Sequence, residues 1–229
     1  MLQEQRFILY SDKGVDQDGL SEWCIFFKKH KLSYVLCNAN DIVKGALKGG
    51  DCLIISGGAD LPYCESLNGL GNDKILSFVQ SGGVYFGVCA GAYYAHREID
   101  WKNTTESIAG NRELSFFDGV ASGPLKKPYN PNKNEGGVFV KVTYNDVNEI
   151  AYYIGGPVMA VDRYTKVLAT FEYDSNEYPA IMCKDIGAGR VIGMSPHMEY
   201  SNAYLEKYTP PLCENRETLF YNIMQDLFS

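Results

Sequence analysis

Short apolar runs alternate with helix-like segments through the first part of the chain, and this alternation limits the fold more than any other feature. Continuous apolar runs between turn residues are typical of strands buried on both faces, whereas apolar residues three or four positions apart predict helices. The alternation therefore predicts an α/β fold, a mostly parallel sheet with helices on both faces. The predicted strands are residues 6–11, 33–37, 51–56 and 84–88, and the predicted helices are residues 19–32, 42–47 and 72–80, the last capped by Asn72.

The second half of the chain is richer in strand-like segments. Five of them, separated by Gly, Asn, Asp and Pro, predict an extension of the same sheet over residues 138–144, 151–154, 167–173, 180–184 and 190–194. We predict long loops through residues 104–134 and a closing amphipathic helix over residues 214–228. At about 150 residues per domain, the length predicts a single domain over residues 1–229.

Composition argues against several classes of function. Apolar residues make up 45% of the chain, which is enough for a sizeable core. A net charge of −7 without runs of Lys or Arg argues against a nucleic-acid partner. No apolar run reaches the roughly 18 residues that a bilayer requires, so we expect no membrane contact and a cytoplasmic location. Seven cysteines without a Cys-x-x-Cys pair argue against disulfides and structural zinc, and we predict neither metal nor cofactor.

Cys89 lies in the most informative segment, Gly87-Val88-Cys89-Ala90-Gly91, between a predicted strand and a predicted helix over residues 92–98. This G-x-C-x-G pattern is the thiol form of a nucleophile elbow, in which glycines on both sides allow a sharp turn. The start of a helix favours a thiolate over a thiol. We predict that Cys89 is a nucleophile. The alternative is a buried cysteine in a Gly-rich turn.

A nucleophilic cysteine needs a base, and the chain has three histidines, His30, His96 and His197. His30 lies at a predicted helix end, and His96 lies two turns into the helix after the elbow. His197 follows the last predicted strand, so it should lie in a loop at the carboxyl edge of the sheet. Glu199, two residues later, can orient the imidazole and stabilise its cation. The sequence therefore predicts a triad of Cys89, His197 and Glu199.

Acyl transfer also needs hydrogen-bond donors for the developing oxyanion. The N–H of Ala90, directly after the nucleophile, and that of Gly58, in the Gly-Gly turn after the third strand, are the candidates. Asp60 and Tyr63 follow in the same loop, and we predict that they line the substrate pocket.

These motifs resemble the class I glutamine amidotransferase-like superfamily, and more closely the amino-terminal domain of eukaryotic-type biotin–protein ligases. The resemblance implies a flavodoxin-like fold with a Cys-His-Glu triad. It does not imply biotin ligation, because that activity belongs to a separate catalytic domain of those proteins, with a Gly/Arg-rich adenylate loop. The segments that carry the resemblance are residues 57–64 (GGADLPYC), 67–72 (LNGLGN), 82–95 (GGVYFGVCAGAYYA), 112–117 (RELSFF), 123–124 (GP), 153–156 (YIGG) and 193–197 (GMSPH).

Two positions depart from the amidotransferase pattern. Tyr93 stands where those enzymes usually carry a Gln that helps hold substrate glutamine, and Met198 replaces the common Pro between His and Glu. Tyr93 is either a pocket wall or a core aromatic residue. Arg112 and Glu113 are candidates for binding the charged ends of a substrate through paired hydrogen bonds, or else form a structural ion pair.

The leading hypothesis is a cysteine-dependent amidohydrolase or amidotransferase-like hydrolase with a small-molecule amide as substrate. Two alternatives stay open: a catalytically silent ligand-binding or regulatory module, and a cysteine redox sensor that uses the same activated thiol. The sequence does not decide whether a partner enzyme or a homo-oligomer is required.

Overall fold

Strands and helices of the computed structural model cover most of the described chain, which comprises residues 1–130, 135–211 and 215–229. The strands are β1 (Arg6–Tyr10), β2 (Ser33–Cys37), β3 (Cys52–Ile55), β4 (Val84–Val88), β5 (His96–Lys102), β6 (Ser107–Asn111), β7 (Phe117–Gly123), β8 (Gly137–Tyr144), β9 (Val147–Ile154), β10 (Lys166–Tyr173), β11 (Asn176–Ile186) and β12 (Gly189–Met194). The helices are α1 (Gln17–His30), α2 (Ala39–Val43), α3 (Asp60–Leu67), α4 (Leu70–Gln80), α5 (Ala90–Tyr94), α6 (Asn202–Leu205) and α7 (Arg216–Leu227).

One large mixed sheet has the strand order β2-β1-β3-β4-β12-β11-β10-β8-β9. The strands from β2 to β12 pair in parallel, and those from β12 to β9 pair antiparallel. Two-residue turns with positive φ at both positions, Asn145-Asp146 and Asp174-Ser175, join antiparallel neighbours without a crossover helix. The α/β fold and the extension of the sheet by the second half of the chain are confirmed.

Helices cover both faces of the large sheet. Successive residues of β4 point to opposite faces. The ring of Phe86 lies 5.8 Å from that of Trp23 on α1, which in turn lies 5.7 Å from Phe220 on α7. On the other face, the hydroxyl of Tyr85 donates a hydrogen bond to the carbonyl of Gly91 on α5. Helices therefore pack on both faces, as predicted.

The segment that follows the elbow differs from the prediction. The predicted helix over residues 92–98 is wrong, because α5 ends at Tyr94 and His96 begins β5. The predicted loops over residues 104–134 are wrong in part, since β6 and β7 lie within this range and flank β5 in a second, smaller sheet. Residues 131–134 lie outside the described chain.

Several helices also differ from the prediction. Asn72 does not cap α4, whose N-cap is Gly69; it lies buried inside the helix and donates to Asn68 and Glu113. The short helix α2 begins three residues before the predicted one, and α3 was not predicted. The closing helix begins at Arg216, and residue 214, its predicted start, lies outside the described residues.

No helix within the described ranges is long and apolar enough to cross a bilayer. The same residues bring together no group of three or more His, Cys, Asp or Glu side chains that would hold a metal ion. The described cysteines, which exclude Cys213, are all free thiols.

Candidate active site

Three loops meet at the carboxyl edge of the parallel half of the sheet. β4 pairs with β3 on one side and with β12 on the other. The loop after β3 carries Gly58, the loop after β4 carries Cys89, and the loop after β12 carries His197. This edge is where parallel α/β sheets place their ligands, because the loops that leave neighbouring strands converge there.

Cys89 occupies a strained turn between β4 and α5. Its φ of 50° and ψ of −104° place it in a region that side chains rarely adopt. A Cβ atom on Gly87 would overlap the carbonyl of Gly91, and one on Gly91 would overlap the carbonyl of Ile55. The turn therefore requires both glycines of the G-x-C-x-G motif. Cys89 is buried, with 5% of the residue's surface exposed. Its S–H donates to the carbonyl oxygen of Ile154, which lies 3.6 Å from Sγ.

His197 is fixed by contacts to its backbone and its ring. Its backbone N–H donates to the carbonyl of Tyr152 at 2.7 Å, and its Nδ1 lies 2.7 Å from Oε1 of Glu199. The ring also stacks on Tyr200, with centroids 4.5 Å apart. With Nδ1 occupied, Nε2 is the nitrogen that remains for Cys89. A Cβ atom on Gly57 would lie 3.5 Å from both Nε2 and the Cβ of Cys89, so Gly57 leaves the space in which the two side chains face each other.

The surroundings of His197 favour its protonated form. Burial acts to lower the pKa of His197, but the charge of Glu199, together with hydrogen bonds to Cys89 and Glu199, outweighs it and raises the pKa well above 6.5. The second carboxylate oxygen of Glu199, Oε2, is buried and accepts no hydrogen bond within the described chain. A buried carboxylate with one free oxygen is stabilised by a neighbouring cation, so the imidazolium and Glu199 stabilise each other.

Two backbone N–H groups beside Cys89 are free to bind an oxyanion. Within the described chain, the N–H groups of Gly58 and Ala90 donate to no hydrogen-bond acceptor. The residues on either side of Gly58 are fixed by backbone hydrogen bonds. The N–H of Asp16 donates to the carbonyl of Gly57, and the N–H of Ala59 donates to the carbonyl of Gly14. The Gly58 amide is therefore held in place by bonds that do not use its own N–H.

Two cavities meet at Cys89. The first has a volume of about 620 Å³ and is lined by Gly58, Ala90 and Tyr93 together with aromatic and acidic side chains. The second, of about 320 Å³, is lined by His197, Tyr152 and Tyr200. Both include Cys89 and Gly58 in their walls. The thiol therefore lies where a small molecule in either cavity can meet it.

The predicted substrate-binding residues divide into two groups. Asp60 and Tyr93 line the first cavity, and the Tyr93 hydroxyl donates to the carbonyl of Gly156. Tyr63 lines neither cavity; its buried hydroxyl lies 3.1 Å from the carbonyls of Ser56 and Gly57 and supports the turn that precedes Gly58.

Arg112 and Glu113 do not pair with each other and line neither cavity. Arg112 is buried and donates from Nε to Oδ2 of Asp60 at 2.6 Å. Glu113 accepts hydrogen bonds from the N–H of Gly69 and the amide of Asn72, which fixes the start of α4. Arg112 therefore positions Asp60, whereas Glu113 stabilises the start of α4, away from the cavities.

The other two histidines are engaged elsewhere. His96 is fully buried, with Nδ1 2.7 Å from the carbonyl of Ala92 and Nε2 accepting the N–H of Ala160. Burial lowers the pKa of His96 to about 4, despite these hydrogen bonds. The ring of His30 stacks on Tyr221, with centroids 4.1 Å apart. Neither histidine lines a cavity that contains Cys89.

Several cavity residues had no sequence signal. Trp101 and Tyr129 line the first cavity with their rings 5.8 Å apart, and Tyr204 and Tyr208 line the second. Trp101 lies on β5, a strand whose first three residues were predicted to be helical and whose other residues were assigned to no element. Only the structure brings these aromatic residues to Cys89.

Comparisons with known proteins agree with the fold and the motifs. The family of biotin-protein ligase N-terminal domains matches residues 10–226. An uncharacterized protein of Chlamydia muridarum is 28% identical over 233 aligned residues, which cover 95% of this chain and 89% of that protein. A biotin–protein ligase of Schizosaccharomyces pombe is 28% identical over 160 residues, which cover 65% of this chain and 25% of the ligase.

Solved structures share the fold at low sequence identity. A cytoplasmic protein from Salmonella typhimurium matches with a TM-score of 0.53 and 12% identity, covering 96% of this chain and 97% of that one. A beta-galactosidase from G. stearothermophilus matches with a TM-score of 0.57 and 11% identity, covering 97% of this chain and 30% of that one. These structures bear on the fold alone. Because the family match extends over nearly the whole sequence, the chain belongs to the family of biotin-protein ligase N-terminal domains.

Proposed function

We propose that this protein is a cysteine-dependent amidohydrolase that acts on a small amide. Cys89 is the nucleophile, His197 transfers the proton, and Glu199 orients His197 and stabilises its cation. The N–H groups of Gly58 and Ala90 bind the oxyanion. The single observation that carries the proposal is that Nδ1 of His197 is bonded to Glu199, while Gly57 leaves open the space between Nε2 of His197 and Cys89, beside a cavity that both residues line.

The reaction proceeds in two steps, the acylation of Cys89 and the hydrolysis of the resulting thioester. The proton of the Cys89 thiol passes to Nε2 of the neutral His197, which leaves a thiolate beside the imidazolium that Glu199 stabilises. The sulfur then attacks the amide carbonyl to form a tetrahedral oxyanion. When the C–N bond breaks, His197 gives the proton to the leaving amine, and a thioester remains on Cys89. Water, deprotonated by His197, then attacks the thioester, which releases a carboxylic acid and regenerates the thiol.

The contacts around the triad support this assignment in two ways. The raised pKa of His197 makes the imidazole a stronger base toward the thiol, and Glu199 holds it with Nε2 toward Cys89. α5 has only five residues, so stabilisation of the thiolate depends on His197 more than on the helix.

Release of ammonia from short primary amides, glutamine included, tests the proposal. We expect release from at least one amide by the wild-type protein and a loss of at least about 10³-fold in Cys89→Ser and His197→Gln. Cys24→Ser, which removes a half-buried thiol of α1, is the matched control and should keep full activity. Undiminished release by Cys89→Ser would contradict the proposal. So would release from no amide, combined with a Cys89 that an amide-mimicking diazoketone does not label.

A further inference from the structure

The chemistry of the cavity walls bears on which amides can reach Cys89. The first cavity is lined by three carboxylate side chains, Asp60, Glu65 and Glu106. The second is lined by two more, Asp16 and Asp18. Within residues 1–130, 135–211 and 215–229, no lysine or arginine lines either cavity. A ligand that approaches Cys89 through either cavity therefore passes carboxylate side chains.

Not all of these carboxylates are equally available to a ligand. Arg112 already pairs with Asp60, and the Asp16 carboxylate caps α1 by accepting the N–H of Gly19. Glu65 and Glu106 are exposed at the first cavity and have no recorded ion pair within the described residues. Among the described residues of that cavity, these two side chains are the carboxylates without an ion pair.

Aromatic faces accompany the carboxylates. Trp101 and Tyr129 line the first cavity with their rings nearly perpendicular to each other, at 82°. An aromatic face attracts a cation through its quadrupole, and acidic groups nearby add to that attraction. A wall of Trp, Tyr and Glu is therefore complementary to an ammonium group and repels a carboxylate.

The second cavity shows how an ammonium group is held by such walls. The Nζ of Lys207 lies 3.7 Å from the ring centroid of Tyr204 and 5.0 Å from that of Tyr208. It also lies 3.6 Å from the carboxylate of Asp18. All three of its neighbours line the second cavity. The chain's own ammonium group thus occupies the kind of surroundings that the first cavity offers to a ligand.

We propose that the substrate of Cys89 is an amide that carries a cationic group, with the ammonium bound in the first cavity near Glu65, Glu106 and Trp101. This inference rests on the proposed function for its reaction, but its charge selectivity is separately testable. The α-carboxylate of a glutamine-like substrate has no cationic partner among the described cavity residues. Glutamine also carries an ammonium group, so it is the rejection of a carboxylate that separates this protein from a glutaminase.

Charged thiol reagents of similar size measure this selectivity directly. We would use three ethyl methanethiosulfonates that carry a trimethylammonium, a hydroxyl or a sulfonate group. The Cys89 thiolate attacks the sulfenyl sulfur of each, a mixed disulfide forms, and methanesulfinate leaves. Each rate at Cys89, followed by peptide mass spectrometry, is divided by the rate of the same reagent with 2-mercaptoethanol, which removes differences in intrinsic reactivity.

We expect the normalised rate of the cationic reagent to exceed that of the anionic one at least about tenfold at low salt. The ratio should fall several-fold in Glu65→Gln/Glu106→Gln and at high ionic strength. Both substitutions replace exposed side chains, so the variant should fold. The matched control is Asp146→Asn/Glu177→Gln, which removes the same charge at exposed positions that line neither cavity and should keep the wild-type ratio.

The outcomes separate the two proposals. A ratio near one, a preference for the sulfonate, or an equal fall of the ratio in the control variant overturns the inference about charge. If the thiol reagents react with Cys89 at the same rates in His197→Gln as in the wild type, that result counts against the proposed function instead. As a second arm, 4-aminobutanamide should release ammonia at least about tenfold faster than pentanamide, and succinamate should be the slowest of the three. The reverse order overturns the inference.

Discussion

The Nδ1 atom of His197 lies 2.7 Å from Oε1 of Glu199, and the other oxygen of that carboxylate is buried without a hydrogen-bond partner in the described chain. A neutral imidazole would leave the buried charge of Glu199 poorly compensated, whereas an imidazolium compensates it. The pair therefore sets the protonation of His197, and through it the chemistry available to Cys89.

Replacement of Glu199 by Gln removes the charge that raises the pKa of His197. Burial, which disfavours the imidazolium, then has less to oppose it, so the pKa of His197 should fall markedly. Titration of the imidazole resonances by NMR measures this change. Glu177→Gln, an exposed substitution on β11, should leave the His197 titration unchanged. A His197 that titrates identically in Glu199→Gln would show that Glu199 does not control its protonation.

Gly57→Ala tests the space between Cys89 and His197. The new Cβ would lie 2.8 Å from Cε1 of His197, so the imidazole must move, although the backbone at Gly57 is not in the left-handed region. We expect a folded protein that loses about 1–3 kcal/mol of stability. The rate at which iodoacetamide alkylates Cys89 should fall at least about tenfold, because small displacements of a catalytic group cost large factors in rate.

The control for this substitution is Gly49→Ala, in an exposed turn where the new Cβ contacts only the carbonyl of Ser81, at 3.1 Å. In this variant, iodoacetamide should alkylate Cys89 at the wild-type rate. Equal rates for both variants and the wild type would mean that the position of His197 is irrelevant to the reactivity of Cys89.

The ion pair between Asp60 and Arg112 should be strongly coupled. Arg112 donates to Asp60 at 2.6 Å, and both side chains are buried, so either single substitution leaves a buried charge without its partner. We expect Asp60→Asn and Arg112→Gln each to cost about 3 kcal/mol of unfolding free energy. The double variant should cost clearly less than the sum. Urea unfolding of the four proteins gives the coupling energy, and strict additivity would contradict a direct interaction.

His96 should make the fold sensitive to acid. The pKa of His96 is lowered by burial to about 4, so between pH 6.5 and 4 the unfolded chain binds a proton that the folded chain does not. Stability is therefore lost as the pH falls through this window. From pH 7.5 to 5.0 this residue should contribute a loss of about 2 kcal/mol. Urea midpoints of the wild type and His96→Gln at both values measure it, and an equal loss in the variant would exclude His96 as the cause.

Much of the fold was predictable because the strands of the parallel half are continuous apolar runs. The strands β1, β2, β3 and β4 were predicted to within one or two residues for this reason. The Cys89 elbow was predictable because only glycine fits on either side of that turn. The second sheet was not predictable, because β6 and β7 are short, rich in Gly and Ser, and stabilised by pairing with β5 rather than by their own pattern.

The candidate site was likewise predictable only in part. Cys89, His197 and Glu199 could be proposed from their spacing relative to strand ends, since a strand end fixes where the next residue emerges. Tyr63 and Glu113 were placed in the pocket by their position in sequence, but one supports the turn at Gly57 and the other the start of α4. Trp101 reaches the cavity through β5, in a sheet that the sequence did not predict, and Tyr129 is held near it by a hydrogen bond from its backbone N–H to Asn103.

The most direct test of the central claim, that His197 activates Cys89, is the rate of alkylation of Cys89 by iodoacetamide at neutral pH in the wild type and in His197→Gln. Peptide mass spectrometry distinguishes Cys89 from the other thiols, and circular dichroism establishes that the variant is folded. We predict that the rate at Cys89 falls at least about tenfold in His197→Gln, while the rates at Cys24 and Cys64 stay the same. Equal rates at Cys89 in the two folded proteins would contradict the claim.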